Sequence, residues 1–212
     1  MRRKEGDKGK DILDAAIRVF ARDGFDRAQI TAIASEANIG TGSVYLYFRG
    51  KDEILDGIFE RFWTHLLEDL EGLPPSTPFD GLRAQLALLF DHLVADTELA
   101  RVYLRESHRH LSRPGAAGST QRQKCLDLGE ATFHKGTQDG TFRADLPLGL
   151  ARSYVFGGIR SALSWWIDEQ GAMPSSVGAT ELGTFRDTAV DLSVSALLRH
   201  AHLAKGTRGT KS

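Results

Sequence analysis

Between residues 31 and 51 the chain concentrates side chains suited to hydrogen bonding and surface contact rather than to making or breaking bonds. Thr41 and Ser43 carry hydroxyls that serve base edges or phosphate oxygens equally well, and Gly42 between them keeps the local profile low. Tyr45 offers a ring to a thymine methyl, and Tyr47 offers a phenolic donor to a phosphate. Lys51 brings a positive charge to what reads as a helix start, where free backbone N–H groups also favour anions. Thr31 supplies one further hydroxyl upstream. The plain alternative is that the tyrosines pack and Lys51 is a solvated surface charge.

Signs of covalent or metal chemistry are missing. His108 and His110 are two residues apart, which splits them across a helix, and no other histidines, cysteines or acids show metal-ligand spacing. Cys125 is the one cysteine, so no intrachain disulfide is possible, and a lone thiol on a helix reads as a packing residue. There is no glycine-rich phosphate loop, nucleophile elbow or paired-carboxylate site. No catalytic residue, metal or cofactor is therefore expected.

The elements that must position residues 31–51 are helices. Ile12, Leu13, Ala16, Ile17, Phe20 and Ala21 recur at helical spacing, and Gly24 is a natural stop. A short helix follows near Thr31–Ala37, then a turn at Asn38-Ile39-Gly40, then a third helix near Thr41–Phe48. In this layout Val44 and Phe48 face a core with Ile33, Ala34 and Phe20, leaving Thr41, Gly42, Ser43, Tyr45, Leu46 and Tyr47 outward. This is the arrangement of a helix-turn-helix, with the third helix in the major groove. Gln29 and Gly40 stand where a capping Ser or Thr would ordinarily open the second and third helices.

A long helix opens at Asp52-Glu53 with an apolar stripe at Ile54, Leu55, Ile58, Phe59, Phe62, Trp63, Leu66, Leu67 and Leu70. Pro74, Pro75 and Pro78 end it. Further helices are expected over Phe79–Val94, Thr97–Leu111, Ser119–Gln138, Leu148–Glu169 and Leu182–Leu203. The fold class is all-α: a three-helix head over residues 1–51, a helical body over 52–204, and a polar tail over 205–212 without the composition of a packed core.

The formal net charge of −1 conceals a segregation. Residues 1–51 carry a net +3, residues 52–198 a net −8, and residues 199–212 a net +4. A basic head on an acidic body suits a molecule of which only one end touches an anion. The basic lead Arg2, Arg3, Lys4, Lys8 and Lys10 extends that end. The sequence has no signal-peptide pattern and no membrane-length apolar run, so a cytoplasmic location is expected.

The stretch from Ile33 through Leu55, with the first helix ending Phe20-Ala21-Arg22-Asp23-Gly24-Phe25, resembles the DNA-binding signature of the tetracycline-repressor (TetR) family. Tyr47 departs from it, standing where the family usually has histidine. The resemblance implies a transcriptional regulator, most simply a repressor, that reads a palindromic operator in double-stranded DNA as a homodimer. It also implies that the helices Leu148–Glu169 and Leu182–Leu203 of two subunits form the dimer interface. Small residues at Gly157, Gly158, Ser161 and Ala162 would let those helices approach closely, though an intrachain core is the alternative.

In this family the body's aromatic residues surround an effector cavity. The candidates here are Phe59, Phe62, Trp63, Phe90, Tyr103, Phe133, Tyr154 and Trp166, with neighbouring Trp165; an aromatic stripe at helical spacing is ordinarily core, and each of these reads that way too. The order Leu99-Ala100, Tyr103-Leu104-Arg105-Glu106, Gly140-Thr141-Phe142, Leu150-Ala151-Arg152, Phe156-Gly157 and Trp166 is similar to TetR-type regulators of fatty-acid degradation. That likeness implies a small apolar effector such as long-chain acyl-CoA, with Arg101, Arg105, His108 and Arg109 as cations for its phosphates, the alternative for those four being a solvated charged face. Three other readings stay open: a non-lipid aromatic effector, a helical ligand-binding protein whose head no longer reads DNA, and an enzyme built in the body.

Overall fold

The computed structural model describes residues 5–111, 118–170 and 179–199. Nine helices span the described residues: α1 Glu5–Asp23, α2 Ile30–Glu36, α3 Thr41–Tyr45, α4 Lys51–Glu71, α5 Pro78–Val94, α6 Thr97–Leu111, α7 Ser119–Asp139, α8 Leu148–Gln170 and α9 Ala179–Ser195. Arg2–Lys4, residues 112–117 and 171–178, and the basic tail beyond Arg199 lie outside the described residues.

By compactness the chain divides into two units, one of residues up to Glu71 with Asp91–Cys125, the other of Gly72–Phe90 with the residues from Leu126 onward. In the first, α1 packs on α2, α4 and α6, and α2 packs on α3. Its core is the apolar stripe of α1 (Ile12, Ala16, Ile17, Phe20) with Ile33, Ala34 and Val44, all buried. All nine residues of the expected α4 stripe are buried. Each such side chain contributes about 1.5–3 kcal/mol through burial, enough to fix which face of α4 turns inward.

Within residues 5–51 two turns need a left-handed backbone. Gly24, at φ 79°, ends α1, and Asn38, at φ 55°, makes the turn between α2 and α3. Asn is the non-glycine residue that tolerates this conformation best, because its short amide can bond locally.

In the second unit α8 packs on α9. Ala151, Val155, Ile159, Leu163 and Ile167 of α8 are buried, as are Val190, Val194 and Leu197 at the C-terminal end. A Cβ on Gly158 would lie 3.1 Å from Ser193 Oγ, so the glycine permits the close approach. Phe133 stacks on Phe142 with centroids 5.7 Å apart.

Two helices are shorter than their sequence pattern. α3 ends at Tyr45, and residues 46 and 47 form a turn. α9 ends at Ser195 rather than running to Leu203, because the chain leaves the helix to pair with the segment before α8. Phe142 and Leu198 form an antiparallel bridge, in which Arg143 N donates to Leu197 O (2.9 Å) and Arg199 N donates to Thr141 O (3.1 Å). This clasp satisfies backbone groups that a continued helix would have satisfied internally. The part of the expected helix beyond Arg199 is outside the described residues.

Candidate nucleic-acid interface and effector site

The head presents one small surface that its own core does not use. α3 packs on α2 and has a single buried side chain, Val44. The adjoining side chains point away: Leu46 is 83% exposed and Tyr45 56%, while Gly42 is exposed and Thr41, Ser43 and Tyr47 are half-buried. A large apolar residue left in water beside a tyrosine is the feature that most marks a contact surface. Tyr47 lies against α1: a Cβ on Gly9 would sit 3.7 Å from its ring. Phe48, expected in the core, is half-buried and lies against α4 at Gly57.

Neither short helix is capped by a side chain, as Gln29 and Gly40 imply. Thr31, exposed, lies at the hydrogen-bond limit from Gln29, Oγ1 to Oε1 being 3.5 Å. Gln29 has the extended backbone of an N-cap, φ −116° and ψ 146°. Replacing Gln29 with Ser is therefore expected to stabilise the protein by about 1 kcal/mol, read as a raised midpoint in urea denaturation. An unchanged or lower midpoint would count against the capping argument.

Lys51 has a partner inside the protein. Its Nζ donates to the carbonyls of Phe25 (2.7 Å) and Asp26 (3.0 Å) and lies 5.0 Å from the centre of the Phe25 ring. The first turn of α4 also holds Asp52 and Glu53, carboxylates that answer the same helix dipole. The charge read from sequence as a phosphate contact thus ties α4 to the loop between α1 and α2.

The same loop is gripped from α6. Arg109 Nη2 donates to both Asp26 carboxylate oxygens (2.8 and 3.1 Å), and its guanidinium lies 5.0 Å from the Phe25 ring centre. Arg105 Nη1 donates to Ala21 O at the end of α1 (2.9 Å). Burial pushes the Glu106 carboxyl above its ordinary range, an effect Arg109 partly offsets. Two cations that sequence pattern offers to a ligand phosphate are thereby engaged with the head. Arg101 is half-buried and His108 exposed on the same helix.

The aromatic candidates separate into groups. In the first unit, Phe62 lies 4.9 Å from Trp63 and 5.5 Å from Tyr103, and Phe59 lies 6.0 Å from Tyr103. In the second, Phe90 and Trp166 both meet Phe185, at 5.9 and 4.9 Å, with Trp165 stacked on it at 5.4 Å. Phe133 belongs to the Phe142 stack, and Tyr154 is 60% exposed.

Sequence pattern misses His110. It is 1% exposed, lies flat on Phe59 at 4.4 Å, and its Nδ1 is 3.0 Å from Asp56 Oδ1. Its position seven residues after Tyr103, and so on the same helix face, is the signal that would have found it.

A cleft of about 260 Å³ lies within the first unit, walled by Ile58, Phe62 and Leu99 and by Lys10, Asp14, Arg61, His65 and His92. Arg61 and Lys10 both pair with Asp14, at 2.7 and 2.9 Å. These partners hold its carboxyl below the usual range although burial works against them.

Cys125 is half-buried, and burial raises its thiol to about 11. Thiolate is the reactive form, so iodoacetamide at pH 8 should label the native protein roughly a hundredfold more slowly than an unfolded control. Equal rates would refute an inert Cys125.

Leu150, Tyr154 and Trp165 of α8 and Leu192 of α9 are the other large apolar side chains left exposed among the described residues, at 58, 60, 55 and 69%. At about 100° per residue, Leu150, Tyr154, Gly157, Ser161 and Trp165 fall within one narrow stripe. Among the described residues no helix is long and apolar enough to cross a membrane, and no cluster of three potential metal ligands occurs.

Comparison with known proteins agrees with this arrangement. Residues 12–58 match the family described as bacterial regulatory proteins, tetR family. The chain is 28% identical over 172 residues to the fatty acid metabolism regulator protein of Bacillus subtilis (strain 168), covering 76% of this chain and 84% of that one. The fatty acid degradation regulator FadR of Bacillus halodurans superposes with a TM-score of 0.73 at 24% identity, covering 94% of this chain and 99% of that one. FadR of Bacillus subtilis, solved in complex with stearoyl-CoA, superposes at 0.68 with 25% identity, covering 89 and 98%.

Proposed function

We propose that the chain, whose residues 12–58 match the tetR family, is a cytoplasmic homodimeric transcriptional repressor released from a palindromic operator by long-chain acyl-CoA. The observation that carries the reading is the helix-turn-helix surface: α3, anchored by Val44, leaves Tyr45 and Leu46 in solvent. Thr41, Gly42, Ser43 and Tyr45–Tyr47 read the major groove, with Thr31 beside them. Lys51 acts chiefly by holding the loop that fixes their approach.

A head of this size reads about one half-site, so specificity calls for two heads about one helical turn of DNA apart. The exposed stripe of α8, with Leu192 of α9, supplies the pairing face. The functional division we propose is a DNA-binding domain over 1–51 and a ligand-binding and dimerisation domain over 52–204.

The effector assignment is supported by likeness to the Bacillus subtilis regulator named for fatty acid metabolism and to FadR bound to stearoyl-CoA. Ligand that prefers the DNA-incompetent state shifts the population away from the operator-bound one. Arg105 and Arg109 of α6 and Lys51 of α4 all hold the end of α1 or the loop after it, so movement of either helix changes the attitude of the head.

Footprinting and operator titration with stearoyl-CoA test the proposal. The expected result is a twofold-symmetric footprint and at least a tenfold loss of operator affinity at saturating ligand. A footprint without twofold symmetry overturns the dimeric reader, and unchanged affinity overturns the ligand.

A further inference from the structure

Trp63 is 4% exposed, yet its indole Nε1 makes no hydrogen bond. A buried donor without an acceptor costs about 1–3 kcal/mol, and phenylalanine would fill much of the same space without that cost. The ring lies at 6.2 Å from Tyr103 and 4.9 Å from Phe62, both edge-on, and the Arg122 guanidinium sits 6.0 Å from its centre. Phe62 is also part of the wall of the 260 Å³ cleft, so the indole is one side chain away from open space.

We propose that Trp63 Nε1 is the recognition donor for a carbonyl oxygen of the effector, in an otherwise aromatic pocket formed with Phe59, Phe62 and Tyr103. The class of ligand it selects is an apolar chain bearing one acceptor near its polar end, such as a thioester. A pocket of rings alone accepts any apolar chain of suitable size. A buried N–H rejects chains that leave it unpaired, which makes it the stronger discriminator. The inference rests on the acyl-CoA reading and narrows it to one atom.

The test compares stearoyl-CoA with its thioether analogue, S-octadecyl-CoA, which lacks the carbonyl. Affinities are measured by calorimetry for the intact protein and for Trp63→Phe, and the ¹⁵N-labelled indole N–H resonances are followed alongside. The expected result is at least tenfold tighter binding of the thioester than of the thioether by the intact protein. Trp63→Phe should lose that preference, and the resonance missing from Trp63→Phe should be the one that the thioester moves downfield. Equal binding of the two ligands by the intact protein overturns the role of Trp63 and leaves the acyl-CoA reading standing. A preference that persists in Trp63→Phe does the same. Binding of neither ligand overturns both.

Discussion

Tyr154→Glu should convert the protein from dimer to monomer at micromolar concentration, halving its molar mass in light scattering. Tyr154 is 60% exposed and shares a stripe of α8 with Leu150, Gly157, Ser161 and Trp165. The buried face of that helix, Ala151, Val155, Ile159, Leu163 and Ile167, is separate. The substitution therefore leaves the subunit's own core intact. In a twofold interface one change enters twice, and each new carboxylate would be buried without a partner at a cost of several kcal/mol. Helicity by circular dichroism should be retained. Operator affinity should fall at least a hundredfold, because a single head is left to one half-site. A variant that remains dimeric would move the pairing surface away from α8.

Changing Tyr45 and Leu46 together to Ala should produce the opposite separation, a dimer that has lost its operator. Both side chains project from the end of α3 into solvent, so their removal takes nothing from the core, and the melting temperature should stay within about 2 °C. Each contributes apolar contact to base edges or sugar, and losing both should cost about 1.5–3 kcal/mol, or roughly 10- to 150-fold in affinity for the specific site. Affinity for random duplex, which rests on phosphate contacts, should fall much less. An equal loss on both kinds of DNA would mean that these residues position the head and do not read sequence. A large fall in melting temperature would mean that they pack.

The two substitutions test opposite ends of one argument. Among the described residues, the large apolar side chains left exposed are confined to α3 with the turn after it and to α8 with α9. One group is proposed to meet DNA and the other a second copy of the chain.

Much of this was legible from residue order. The stripes of α1 and α4, the left-handed turn at Asn38, the missing caps at Gln29 and Gly40, and the outward set around Tyr45 all follow from helical periodicity and backbone preference. These are local properties, determined by residues within one or two turns of each other. The end of α9 was not legible, because nothing in its apolar pattern reports that Leu198 pairs with Phe142, 56 positions earlier. The aromatic residues were legible as aromatic stripes but not as groups. Periodicity gives the face a ring lies on, and not which ring from another helix meets it.

By itself, then, the sequence determined an all-helical chain with a reading head, its basic sign, and the residues that head turns outward. Only tertiary structure decided what the long cationic side chains do. Arg105, Arg109 and Lys51 look from sequence like charges held out for phosphate, yet they bind Ala21, Asp26 and Phe25 within the same chain. The reason is reach. A flexible side chain of four or five bonds can bond to a carbonyl or carboxylate on any helix packed beside it. Which helix that is depends on packing and not on spacing along the chain.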